Sequence, residues 1–97
     1  MSTYVLLMKL TDAGIRDIRS APERIAAAIE TWEHMGGTMR GFYMTMGPYD
    51  YVAIGEAPTD AVAATFLLGL GSAGNVSTTT LKAFTLEEAS EIIEFLK

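Results

Sequence analysis

The sequence predicts an α+β fold: a four-stranded antiparallel sheet with two helices on one face and an extra helix at the C-terminal end. Three observations carry this. Strand-like runs rich in branched and aromatic residues alternate with helix-like runs in the order β-α-β-β-α-β. Gly47-Pro48 makes a tight reversal between the two middle strand runs, which marks them as a hairpin. Helix-start signals stand at Ser20, Thr59 and Thr85.

Thr3 to Thr11 (TYVLLMKLT) is apolar on both alternating faces until Lys9, as expected of a central strand covered on two sides. Asp12 to Arg19, with Gly14 inside it, reads as a loop or a single helical turn. Ser20-Ala21-Pro22-Glu23 is a helix start, with Ser20 and Glu23 spaced for a capping box and proline suited to a first turn. Ile25, Ala28, Ile29 and Trp32 then recur at i, i+3, i+4 and i+7, a stripe that faces a sheet. Gly36-Gly37 ends the helix, because glycine accepts the left-handed turn that other residues resist.

Thr38 to Met46 and Tyr49 to Ala57 form the hairpin, and Pro58-Thr59-Asp60 opens a second helix running to about Gly71. Gly74-Asn75 releases the chain into Val76 to Phe84 (VSTTTLKAF), a threonine-rich last strand. Thr85-Leu86-Glu87-Glu88 is a further capping box, launching a helix whose Ala89, Ile92, Ile93 and Leu96 share a face. Residues 1–97 make one domain, and the element order is that of the ferredoxin-like, split-βαβ fold.

Both faces of this sheet are expected to be apolar. Around the hairpin one face would carry Phe42, Met44, Met46, Tyr49, Tyr51 and Ala53, the other Gly41, Tyr43, Thr45, Asp50, Val52 and Ile54. A sheet with helices on one side and water on the other alternates cleanly instead. From Ala61 through Leu81 there is no charged residue, so the second helix is apolar most of the way round. An exposed apolar face of this size marks a partner site. Two sheets packed face to face, a dimeric α/β barrel or a higher homo-oligomer, would cover it.

Composition narrows the function classes. There is no cysteine, which excludes disulfides, thiolate metal sites and thiol nucleophiles. Net charge is −5 and the seven basic residues are scattered, so no phosphate-tracking stripe exists and nucleic acid is not an expected partner. The run Tyr4 to Met8 has no basic flank and no small-residue cleavage pattern after it, and the apolar run Ala61 to Leu70 is half of a bilayer span. Neither an export signal nor a membrane segment is expected, and a cytoplasmic location follows as the expectation.

The residues with chemistry gather at the hairpin turn. With Gly47-Pro48 at its tip, Thr45 lies opposite Asp50 and Tyr43 opposite Val52 on one face. The ordinary role of such an aspartate is to accept backbone amides; ligand contact and acid–base work are the alternatives. Lys82, near the end of the last strand, is expected to approach the same end, so that Tyr43, Thr45, Tyr49, Asp50 and Lys82 form the polar end of an apolar pocket. Lys9 and Glu56, near the far ends of two central strands read as parallel, are a further pair. Lys9 either meets a carboxylate or has its pKa lowered by burial, and Arg40 competes for Glu56. His34 is the only histidine and falls off the buried stripe, so no metal site and no Ser-His-Asp arrangement is expected. The glycines from Gly69 to Gly74 end a helix instead of opening one, the reverse of a phosphate cradle, and no cofactor is expected.

Gly47-Pro48-Tyr49-Asp50 resembles the Gly-x-Tyr-Asp turn of the GYD family. The likeness extends over Lys9-Leu10-Thr11 with Gly14, Gly41 to Gly47, Glu56-Ala57-Pro58, Leu70 to Val76 and Thr80 to Thr85. It implies a ferredoxin-like, dimeric-barrel fold and no activity. Gly-x-Tyr-Asp followed by Gly-x-Val and the threonine-rich last strand is also similar to the effector-binding domain of Lrp/AsnC-type regulators, although these 97 residues hold no helix-turn-helix. The expected function is a homo-oligomeric small-molecule-binding module with its pocket between sheet and partner subunit. The alternatives are a cofactor-free dimeric-barrel enzyme, an oxygenase or isomerase for an aromatic or polyketide-like compound, and a structural or protein-interaction module.

Overall fold

The structure is a computed structural model, and it describes residues 1–96. β1 (Ser2–Leu10) leads through a short α1 (Asp12–Arg16) and a 3₁₀ turn into α2 (Ala21–His34). The hairpin β2 (Thr38–Met44) and β3 (Tyr51–Ala57) follows, then α3 (Asp60–Ser72), β4 (Val76–Ala83) and α4 (Leu86–Glu94). The sheet order is β2-β3-β1-β4, and each neighbouring pair is antiparallel. This is the ferredoxin-like order, with β1 and β3 central.

Local chemistry explains most boundaries. Thr59 and Thr85 cap α3 and α4, and the Thr85–Glu88 box closes in both directions. Gly36 (φ +94°) and Gly74 (φ +81°) take the left-handed turns that release β2 and β4. The box expected at Ser20 does not form. The 3₁₀ turn runs straight into α2, so Ser20 sits at φ −90°, ψ 1° instead of extended, and its hydroxyl donates to Asp17 O. Arg24 holds that corner by an ion pair to Asp17 at 2.9 Å.

The core lies between the sheet and α2 and α3. Tyr4, Leu6 and Met8 of β1 and Tyr51, Ala53 and Ala57 of β3 point into it. The centre is Trp32, 1% exposed, edge-on to Phe66 of α3 at 5.0 Å and to Tyr4 at 6.4 Å. The indole fits because Gly37 and Gly55 carry no side chain: an added Cβ would stand 2.5 Å and 2.9 Å from its ring atoms. A bulge between Met39 and Gly41 shifts the β2 register, so that Met39 and Phe42 both face the core while Gly41 and Tyr43 face away from it.

That opposite face bears no helix. By register it carries Val5, Leu7 and Lys9 of β1, Tyr43 of β2, Val52 and Ile54 of β3, and Ser77, Thr79 and Leu81 of β4. Tyr43, Ile54 and Leu81 are large, apolar and exposed. The centre of the helix-free face is therefore apolar, as the strand patterns predict, while Thr3, Lys9, Glu56, Ser77 and Thr79 make its ends and its β4 edge polar.

Candidate functional site

Four of the expected residues converge where β1 ends and the hairpin turns. Asp50 is bound on three sides. Its N–H donates to Met8 O at 2.8 Å, its carbonyl accepts from Thr45 N–H at 2.8 Å, and its Oδ2 accepts from Leu10 N–H at 2.8 Å. The carboxylate thus satisfies a strand-end amide of β1 after regular β1–β3 pairing has stopped at Met8–Tyr51. Thr45 Oγ1 donates to Tyr49 O at 2.6 Å, and Lys9 Nζ lies 5.7 Å from the centre of the Tyr49 ring, a cation over an aromatic face. Tyr43 lies on the helix-free face, in register with Val52 and through it with Leu7.

The neighbouring chain ends meet here too. Thr11 N–H donates to Asn75 O at 3.0 Å, and Thr11 Oγ1 donates to Gly74 O while accepting from Gly14 N–H. Gly14 is buried against this corner, where an added Cβ would stand 2.1 Å from Asn75 O. The segments Lys9-Leu10-Thr11, Gly14, Tyr49-Asp50 and Gly74-Asn75, separate in sequence, form one continuous hydrogen-bonded corner. Lys9, Thr45 and Tyr49 form its side-chain rim.

Lys82 is not part of it. β3 and β4 both run antiparallel to β1, so both begin at the Leu10 end, and Lys82 emerges at the other end opposite Tyr4. Six residues of β1 separate the two positions, about 20 Å of strand. Lys82 instead pairs with Asp60 at 3.1 Å, and Tyr4 Oη donates to the same carboxylate at 2.5 Å. The Tyr4 hydrogen bond, followed by that of Lys82, holds the Asp60 carboxyl below its usual range. Burial, then the Asp60 contact, raises the Tyr4 hydroxyl above its own. This trio fastens the start of α3 to β1 and β4. Nothing in the local sequence signals it, because its members lie 56 and 22 positions apart.

Lys9 and Glu56 are likewise at opposite ends, since the central strands are antiparallel: Glu56 faces Thr3. Arg40 is the partner of Glu56, with Nε 2.8 Å from Oε1. His34 is exposed at the end of α2. Among the described residues no group of three or more His, Asp or Glu side chains is placed to hold a metal ion. No helix of the described residues is long and apolar enough to cross a membrane.

An apolar concavity lies elsewhere. A cleft of about 490 Å³ opens on the helix side, between α2, α3 and the sheet, walled by Leu6, Met8, Ile25, Phe42, Phe66 and Leu70. None of Lys9, Tyr43, Thr45, Tyr49, Asp50 or Lys82 lines it. Its polar atoms are few, and Arg24 at its edge is already committed to Asp17. The strand patterns could not reveal it, because it depends on how far α2 stands from α3.

The GYD domain model matches residues 4–93, including the whole of the corner built around Asp50. The chain belongs to the GYD domain family. A relative from Thermus thermophilus, described as "Glutamine synthetase and cystathionine beta-lyase binding protein", is 36% identical over 89 residues, covering 91% of this chain and 94% of that one. No solved structure matches the chain. In this GYD protein the Tyr-Asp turn for which the family is named is bound into the backbone: Asp50 bridges the hairpin turn to the end of β1.

Proposed function

We propose that this GYD protein is a self-associating binding module that docks on other proteins. The observation that carries the reading is the distribution of apolar surface: Tyr43, Ile54 and Leu81 stand exposed together on a sheet face that no helix covers. A contiguous apolar face on a small domain is a contact surface before it is anything else. Self-association through this face, sheet against sheet, gives the dimeric barrel.

The relative's description as a protein that binds two metabolic enzymes supports a protein partner for this chain as well. Acid–base chemistry finds less support. Asp50 spends its carboxylate on Leu10 N–H, Lys9 stands over Tyr49, and Lys82 is committed to Asp60. Titrating the chain into the purified glutamine synthetase and cystathionine β-lyase of its own host, by calorimetry, tests the reading. A saturable heat of binding with either enzyme is expected, and none with both would contradict it.

The helix-side cleft favours a second, compatible reading: a small apolar ligand. Its 490 Å³ falls in the range of small-molecule sites, roughly 300–1,000 Å³, and its walls are apolar as such sites usually are. Native mass spectrometry of the freshly purified protein would reveal a retained mass on each chain. The rim residues Lys9, Thr45 and Tyr49, with Tyr43 on the helix-free face, would then line a different surface, the one facing a partner.

A further inference from the structure

The C-terminal helix is the least accommodated part of the molecule. Apart from half-buried Glu88 and Ala89, every residue of α4 is exposed. Its Leu86, Ile92 and Ile93, with Leu96 just beyond, crowd one side, while Glu87, Glu91 and Glu94 share the other. The side turned to water is thus apolar as well as acidic, with Leu96 77% and Phe95 84% exposed. The radius of gyration is 14.7 Å, where a compact chain of this length has about 12.5 Å. One axis reaches 52 Å against 30 and 19 Å for the others. Isolated helices shorter than about 12 residues are marginal in water, so a helix of nine residues needs a surface to lie on.

From these observations we infer that α4 packs on a second copy of this chain and supplies the larger half of the apolar surface that holds the two together. The inference rests on the self-association proposed above and names the element responsible.

Area selects the occupant. At about 200 Å² for a fully exposed large apolar side chain, Tyr43, Ile54 and Leu81 present on the order of 300 Å². A standard interface buries about 800 Å² per partner, a little over half of it apolar, so these three side chains alone fall short. On the same scale Phe84, Leu86, Ile92, Ile93, Phe95 and Leu96 add about 800 Å². The two surfaces together exceed the need of a stable dimer, and they adjoin in the chain, Leu81 standing on the helix-free face three residues before Phe84 and the start of α4. A two-fold pairing uses the same patch on both copies, so each α4 is covered by the partner's surface.

The test is sedimentation equilibrium of the full chain carrying Ile92→Asp and Ile93→Asp, beside a second variant, Leu81→Asp. Neither alteration touches the core, and circular dichroism with thermal unfolding checks that each folds. The α4 variant is expected to self-associate more weakly by roughly 100-fold or more, since two buried anchors are lost from each copy. Self-association unchanged in the α4 variant but lost in Leu81→Asp would overturn the inference while leaving the sheet contact standing. Unchanged self-association in both would overturn the inference and move the self-contact to another surface, whereas a monomeric unaltered chain would overturn the self-association reading itself. Loss of enzyme binding by the α4 variant with its oligomer intact would assign α4 to a foreign partner and overturn the inference.

Discussion

Asp50 Oδ2 accepts the Leu10 N–H at 2.8 Å, joining two residues forty positions apart at the end of the central strand. The bond continues the β1–β3 ladder by one side chain beyond its last backbone pair. It accounts for a carboxylate in the turn without any catalytic role. Removing it in Asp50→Ala leaves a half-buried amide without its partner. The expected loss is about 2 kcal/mol, since hydrogen bonds to charged groups are worth about 1.5–3 kcal/mol. For a domain of this size that is a fall in Tm of about 8–16 °C. Asp50→Asn keeps an acceptor oxygen, so its loss should be smaller. Thermal unfolding of both variants checks the order.

Two glycines give opposite outcomes. Gly14→Ala drives a Cβ to 2.1 Å from Asn75 O at the crowded corner, and overpacking of this kind costs about 1–3 kcal/mol. Gly69 lies inside α3 with nothing within 4 Å of an added Cβ. Gly69→Ala is therefore expected to stabilise the protein by about 0.5–1 kcal/mol through helix propensity. Denaturant midpoints measured side by side decide both.

Through Tyr4 and Asp60, stability is expected to fall at both pH extremes. The Asp60 pKa is lowered in the fold, so its contribution is present above the ordinary carboxylate value of 3.8 and disappears as pH drops through the folded value. The Tyr4 pKa is raised, so its contribution is present below 10.0 and disappears as pH climbs towards the folded value. Asp60→Asn should flatten the acid limb and Tyr4→Phe the alkaline limb of a plot of unfolding free energy against pH.

What was legible in the sequence follows from how local each signal is. Thr59 and Thr85 cap their helices through amides three residues away, so neighbouring letters suffice. The Trp32 stripe and the hairpin faces are periodic and equally plain. Ser20 failed because a 3₁₀ turn, not an extended residue, precedes α2. Lys82 was expected near Asp50 because the relation of strand ends depends on chain direction across the sheet, which no local pattern records. The cleft between α2 and α3, and the exposure of α4, depend on the packing of elements far apart in the chain. The corner around Asp50 was visible only as a set of short motifs; the hydrogen bonds of Thr11 to Gly74 and Asn75 explain why they occur together.

One copy of the chain leaves apolar surface uncovered on α4 and on the helix-free face. Sedimentation equilibrium of the unaltered chain at micromolar concentration tests this most directly. A mass at least twice the 10.5 kDa of one chain is the predicted result. A single species at 10.5 kDa across that range would contradict it.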